Sequence, residues 1–402
     1  MIIDVIIQIL NYIFAACMPV THIGGYAVSL LSVLFIWKYW GKINKEPVFM
    51  WLLVFFIYGM MLVPFSGEPK ASLGVMTGYL THWILPFILG YGLTGETKAR
   101  NMLLVYFAVI TAVAALSMLA YYGLFSKVVG GNFFLVEDGL LKAGRSHIAF
   151  AALCIFIAMT LASFALLPGR GRALKGALLA ASVFYVLALA LSGSRGYYIA
   201  AALVFPAAAV YWTLKNGKIK YLAILALAAV IGVGLVYKFN HGVRERIHRT
   251  GASDQNVSER LNLYKVAVEE IKARPVFGYG PGQGIKQKNF FEKLPEAQRN
   301  LDRHPALHSF YLNFAADFGL AGFAIFVIIM ASILMKLAAV MGSKDGFADA
   351  AAFGLFWGLL GLLVGDCFDT ILRGPGVAME LFWALGMVLR NTRERSKEIS
   401  NS

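Results

Sequence analysis

The residues with chemistry to offer in this 402-residue chain stand at the ends of apolar runs. Arg195, in SGSRGYY, opens one apolar stretch directly after another, with almost no loop between them. The first turn of a helix carries the positive end of its dipole, which disfavours a cation there. Arg260 repeats the placement: in NVSERLNLY, Ser258 is suited to an N-cap, which sets Arg260 in the first helical turn. His308, in RHPALHSFYLNFAADFGLAGF, marks the entrance of a further apolar run. Its imidazole titrates near neutrality and can act as a general base. A bound anion would reverse the penalty on both arginines, because helix N-terminal amides and guanidinium groups hold phosphate together. Two permanent cations and a proton acceptor suit a bulky anion whose reaction partner must be deprotonated. Pyrophosphate, multiply charged and a good leaving group, fits that description.

Other polar groups add to this set. Arg145 and His147, in KAGRSHIAF, open another apolar run in the manner of Arg195 and are further candidates for substrate contact. Asp366 and Asp369, in GDCFDTILRG, are placed to orient the histidine or an arginine, or to pair with Arg373. His82 and Trp83 lie inside a run and read as buried polar packing. Gly278, Gly280, Gly282 and Gly284 match no dinucleotide fingerprint and read as tight turns. Arg244, Arg246 and Arg249 read as a solvated cluster, and Pro305 separates His304 from the helical face of His308. No HExxH, no spaced carboxylate pair and no Walker motif appears, so neither metal, cofactor nor ATP is expected. The energy must come from the substrate.

The elements that carry these residues belong in lipid. Hydrophobic residues make up 59% of the chain and charged ones 14%, with a mean hydropathy of +0.69. A soluble domain carries about 25% charged residues. Soluble enzyme, secreted disulfide scaffold, disordered chain and nucleic-acid binder are therefore set aside. The three cysteines, Cys17, Cys154 and Cys367, form no CxxC pair. The net charge of +14 needs no nucleic acid, because cytoplasmic membrane loops are rich in Lys and Arg. Runs long enough to cross fall near 3–18, 24–38, 47–63, 73–92, 101–122, 146–167, 174–191, 196–214, 219–237, 307–336, 348–366 and 376–390. That predicts an all-α polytopic membrane protein with about 12 transmembrane helices. The first run reads as a retained span, and the tenth is long enough to tilt or to project above the bilayer.

Charge sets the orientation. One set of short loops and the C-terminal tail holds 17 Lys and Arg, including Lys38, Arg170, Lys215 and Arg390. The opposite loops hold six: Lys70, Lys127, Lys142, Arg145, Arg195 and Arg373. The positive-inside rule then puts both termini in the cytoplasm and segment 238–307 outside. That segment is too long to be a plain connection. Leu261, Tyr264, Val268 and Ile271 recur at helical spacing from Ser258 to Ala273, Pro275 stops the helix, and the turns of PVFGYGPGQG follow. The expected division is transmembrane helices one to nine over 1–237, an outer loop with an amphipathic helix over 238–307, helices ten to twelve over 308–390, and a cytoplasmic tail over 391–402.

SGSRG at the head of a span, RLNLYKVAVEEIKARPVFGYGPGQG, and HSFYLNFAADFGLAGF together resemble the O-antigen ligase and polymerase superfamily of bacterial envelope glycosyltransferases. The resemblance is sharpest over roughly 192–325, and the O-antigen ligase fits best. It implies a GT-C-like protein of the bacterial inner membrane with a periplasmic active site. Such a ligase moves polysaccharide from an undecaprenyl-pyrophosphate-linked donor to a lipid A–core acceptor, without metal or ATP. Arg195 and Arg260 match the family's pyrophosphate-binding arginines, and His308 its loop histidine. Asp366 or Asp369 matches an acidic position of the last outer loop. One departure is Ser309, where family members often carry an aromatic residue and Asn after the histidine. A polymerase extending lipid-linked glycan is the alternative. Its usual pair of sizeable outer loops is not apparent, the loop at about 123–145 being modest. A transporter would show repeated halves, which the sequence lacks.

Overall fold

A backbone in lipid must satisfy its own hydrogen bonds, so long apolar runs become helices. In the computed structural model they do. The structure describes residues 2–128, 135–137, 139–167, 171–217, 238, 244, 255–286, 290, 292–296, 299, 307–341 and 346–401. In chain order these form α1 (Ile2–Cys17), α2 (His22–Ser32), α3 (Trp40–Ile43), α4 (Pro47–Leu62), α5 (Pro69–Tyr79), α6 (Leu85–Tyr91) and α7 (Glu96–Tyr121). A short hairpin of β1 (Val136–Glu137) and β2 (Leu140–Leu141) follows, antiparallel, with Val136 opposite Leu141. Then come α8 (His147–Ala165), α9 (Arg172–Ser192), α10 (Arg195–Lys215), α11 (Gln255–Ala273), α12 (Phe310–Val340), α13 (Gly346–Gly365) and α14 (Pro375–Asn401).

Among the described residues, eight helices are long and apolar enough to cross a membrane: Pro47–Phe65, Pro69–Tyr91, Glu96–Tyr121, His147–Ala165, Arg172–Ser192, Arg195–Lys215, Phe310–Val340 and Gly346–Gly365. Ile2–Cys17 and His22–Lys38 are shorter apolar helices. The run expected at 219–237 lies outside the described residues, as do Arg246, Arg249 and His304. The run at 376–390 is the first part of α14, which continues as helix through the tail.

The chain divides into two compact units, each built from separate stretches of sequence. The first comprises 1–106, 252–342 and 366–402. Here α6 and α14 meet backbone to backbone: a Cβ on Gly90 would stand 2.0 Å from the Trp383 carbonyl, and one on Gly386 2.3 Å from that of Phe87. Small residues permit such close approach between membrane helices. Asn11 of α1 donates to the Leu89 carbonyl and accepts from Trp383 Nε1 at 2.7 Å. Phe55, Tyr79, Trp83, Phe314 and Phe318 fill the space between α4, the Pro69–Tyr91 helix and α12.

Helix α12 is broken inside. Gly319 adopts φ 66°, ψ −176°, a conformation open essentially to glycine alone. The loop after α11 inserts at the break. Tyr279 and Gly280 amides donate to the Ala316 and Asp317 carbonyls, while Leu320 and Ala321 amides donate to the Pro275 and Val276 carbonyls. Tyr58 Oη donates to the Phe318 carbonyl at 2.7 Å. The groups freed by breaking the helix are thereby paired, as buried backbone must be. From Leu320 onward about 21 residues rise roughly 31 Å, enough to cross the hydrocarbon core unaided. The part of the tenth run before Gly319 folds back along the part after it, with the Phe310 and Phe314 rings 5.1 and 5.2 Å from the Phe326 ring.

Helix α11 differs from expectation in two respects. It begins by Gln255, so Ser258 lies within the helix rather than at its cap, and Arg260 sits in the second turn. Its buried face is also not the one the apolar spacing suggested. Leu263, Val266 and Ala267 pack with Ile285, Phe290, Leu294 and Leu307, flanked by buried Glu259 and Glu270. Leu261 and Val268 are exposed. Two acidic side chains on the buried face mask its apolar period.

The second unit comprises 107–251 and 343–365. Glycines of α13 run along α8: Gly354 meets Thr160, Gly358 meets Phe156 and Gly361 meets Ile155, an antiparallel pairing. Gly365 closes on the Tyr197 ring of α10. The N-terminal ends of α8 and α10 and the C-terminal end of α13 therefore share one end of this unit. At the other end, Lys215 of α10 pairs with Asp349 of α13 at 3.0 Å.

Candidate functional site

The loop after α13 organises the first unit's polar cluster. Asp366, fully buried, caps its own short turn: its carboxylate accepts from the Ile371 and Leu372 amides at 2.9 and 3.0 Å. With the carboxylate turned inward, the loop's carbonyls face outward as acceptors. Those of Asp366 and Asp369 take the Phe310 amide, an otherwise unsatisfied donor at the start of α12. The Phe368 carbonyl takes Arg260 Nη1 at 3.1 Å. Those of Leu372 and Arg373 take Trp83 Nε1 and His82 Nδ1. His82 and Trp83 are thus buried polar packing, as the sequence indicated, and they anchor this loop.

His308 stands just before the Ser309 cap of α12, with φ 51°, a left-handed conformation rare outside glycine. Tyr264 of α11 holds it there, donating its hydroxyl to the His308 carbonyl at 2.8 Å. Burial raises the Tyr264 hydroxyl's pKa, opposed by nearby Arg260 and reinforced by Asp369. Asp369 is buried, and loss of water pushes its carboxyl up to about 7 although Arg260 pulls it down. Four residues singled out by sequence therefore meet in this unit: Arg260, His308, Asp366 and Asp369. Tyr264, which links them, was read in the sequence only as part of an apolar stripe. A tyrosine one helical turn after an arginine was the available signal.

The glycine loop behaves as turns, yet it does cradle an anion, and that anion is the protein's own. Asp317, buried in α12, accepts from the Gly284 amide at 2.9 Å and faces Arg373 Nη1 at 3.8 Å. Arg373 thus pairs with Asp317, where the sequence suggested Asp366 or Asp369. Positive φ at Gly278, Gly280 and Gly282 bends the loop around the break. Farther out, Glu270, buried, accepts from Tyr279 Oη at 2.6 Å and Lys293 Nζ at 2.8 Å. Burial and Glu270 raise the Tyr279 hydroxyl to about 12.

Arg195, Arg145 and His147 belong to the second unit. Arg195 is the first residue of α10, after Gly193 turns the chain at φ 70°, as its sequence position predicted. Arg145 is buried and follows a left-handed pair, Ala143 and Gly144. His147 is the first residue of α8, whose Ser146 cap accepts from the Ala149 amide at 3.1 Å. All three lie at or beside helix N-termini at one end of that unit. Among the described residues, no group of three His, Cys, Asp or Glu side chains is arranged for a metal ion.

Residues 180–327 match the family model described as O-antigen ligase. No curated protein matches the chain. The matched segment takes in Arg260, His308, the glycine loop and the broken helix of the first unit, and Arg195 of the second. Its eight long apolar helices among the described residues make the chain a helical, multi-pass membrane protein. The match over residues 180–327 supports the resemblance to the O-antigen ligase and polymerase superfamily.

Proposed function

We propose that the protein is an O-antigen ligase of the bacterial inner membrane. It transfers polysaccharide from undecaprenyl pyrophosphate to a hydroxyl of lipid A–core at the periplasmic face. Both termini are then cytoplasmic, segment 238–307 is periplasmic, and about 12 spans anchor a GT-C-like catalyst. The observation that carries this reading is the cluster in which Arg260, Tyr264 and His308, all inside the segment that matches the ligase model, meet Asp369 of the loop after α13.

The acceptor hydroxyl attacks the anomeric carbon of the first sugar, and the sugar–phosphate bond breaks with inversion. The diphosphate leaves with the bonding pair. Arg260 donates to it with the guanidinium hydrogens not used by Phe368, a planar cation having five donors. Arg195 serves the same leaving group: a permanent cation at the first residue of a helix is placed where a bound anion stabilises it. Arg145 and His147 contact substrate at the same end of their unit. His308 accepts the hydroxyl proton, oriented by Tyr264. Asp369, titrating near neutrality, is a second acceptor for that proton. Two membrane-held substrates gain much of their rate from positioning.

The test supplies purified protein in proteoliposomes with lipid-pyrophosphate-linked glycan and, separately, lipid A–core or a glycan acceptor. Product on lipid A–core is the expected outcome. Lengthened carrier-linked glycan would assign a polymerase, and no transfer to either acceptor would overturn the reading.

A further inference from the structure

We propose that the end of α11 and the turn after it, Lys272–Phe277, form an interfacial wedge inserted into the outer leaflet of the bilayer. Every residue of this segment is exposed. Two cations, Lys272 and Arg274, precede the apolar Pro275, Val276 and Phe277. Val276 and Phe277 are 53% and 60% exposed, an arrangement water disfavours. The turn is fixed rather than dangling. The Pro275 and Val276 carbonyls accept from the Leu320 and Ala321 amides at 2.7 and 3.2 Å. That bonding sets the apolar tip beside the first turn of the apolar half of α12.

The occupant follows from continuity. Leu320, 54% exposed, begins a stripe that continues through Ala324, Val327, Ile328, Ala331 and Met335 at helical spacing. This is the lipid-facing side of a segment long enough to span the core. Val276 and Phe277 extend that surface at its outer end, and the cations stand where headgroups begin. Apolar side chains next to Lys and Arg at a membrane boundary insert into the acyl region and pair with anionic headgroups. The wedge sets the height of the broken helix and of the outer domain above the bilayer. It does not depend on the transfer reaction.

The test reads the environment of position 277. Phe277→Trp protein is reconstituted in phosphatidylethanolamine and phosphatidylglycerol vesicles, with or without dibrominated phosphatidylcholine, and its emission is compared with that of the parent protein. Val327→Trp is the lipid-facing reference, and Val276→Trp repeats the measurement on a neighbouring side chain. The expected result is that the added emission falls at least about twofold in brominated vesicles, most with bromine near the carbonyl end of the chain, and resists iodide. Emission quenched by iodide but not by bromine would overturn the proposal in favour of a water-facing turn. Emission untouched by both would overturn it in favour of a protein surface, such as a second copy.

Discussion

Gly319→Ala should unlock the outer loop from α12. A Cβ at this position would stand 2.2 Å from the Val276 carbonyl oxygen, 2.4 Å from its carbon and 2.6 Å from the Phe277 nitrogen. These are backbone atoms, which cannot swing aside as a side chain can. The conformation itself, φ 66° and ψ −176°, costs a non-glycine residue about 1–3 kcal/mol. Displacing the loop also loses the four backbone bonds from Tyr279, Gly280, Leu320 and Ala321, at about 0.5–1.5 kcal/mol each. The sum is about 3–9 kcal/mol, of which the lower bound corresponds to a change of more than about a hundredfold in local opening. Hydrogen–deuterium exchange reads this directly. The amides of those four residues should exchange at least about a hundredfold faster in the variant, while α8 and α13 of the other unit keep their protection. Unchanged protection of the four amides would refute the role given to the break.

Four further outcomes follow from the cluster. Asp369 titrates at about 7 when folded against an ordinary 3.8, so the folded protein binds more protons between those values. Its contribution to stability is present below the lower value and is lost as pH rises through the upper one. Asp369→Asn should remove that slope, seen as a smaller difference in Tm between about pH 5 and about pH 8 than in the parent protein. Tyr264→Phe removes the 2.8 Å bond that holds the His308 backbone and should lower transfer severalfold at a cost of about 1 kcal/mol in stability, measured by product formation and thermal unfolding. Asp317→Ala leaves the buried Gly284 amide without its acceptor and Arg373 without its partner. A loss of about 1–3 kcal/mol is expected, measured as a fall in Tm. Arg260→Ala should reduce transfer at least about tenfold, from loss of a charge-assisted contact in the transition state, and Arg260→Lys should recover only part of it.

Much of the fold was legible because lipid simplifies the code: an apolar run of sufficient length has little choice but helix. Arg195 at the head of α10 and His308 at the entrance of α12 were placed by the same reading. Three features were not legible. The break at Gly319 lies within a run, ADFGLAGF, whose one polar residue is Asp317, and its cause is a loop some 40 residues earlier in the chain. Periodicity cannot report a long-range insertion. The buried face of α11 carries Glu259 and Glu270, so the hydrophobic pattern pointed to Leu261 and Val268 instead. The partner of Arg373 was sought among its nearest acids, whereas the fold supplies Asp317 from another helix. In each case the deciding contact joins distant segments, and the local sequence shows only one side of it.

Arg195 and His308 are proposed to serve one glycosyl transfer from a lipid diphosphate. The most direct measurement is the rate of undecaprenyl pyrophosphate release by purified parent, Arg195→Ala and His308→Ala proteins, given lipid-linked glycan and lipid A–core, with folding checked by thermal unfolding. Both folded variants should release it at least about tenfold more slowly than the parent. Release at the parent rate by either folded variant would contradict that role.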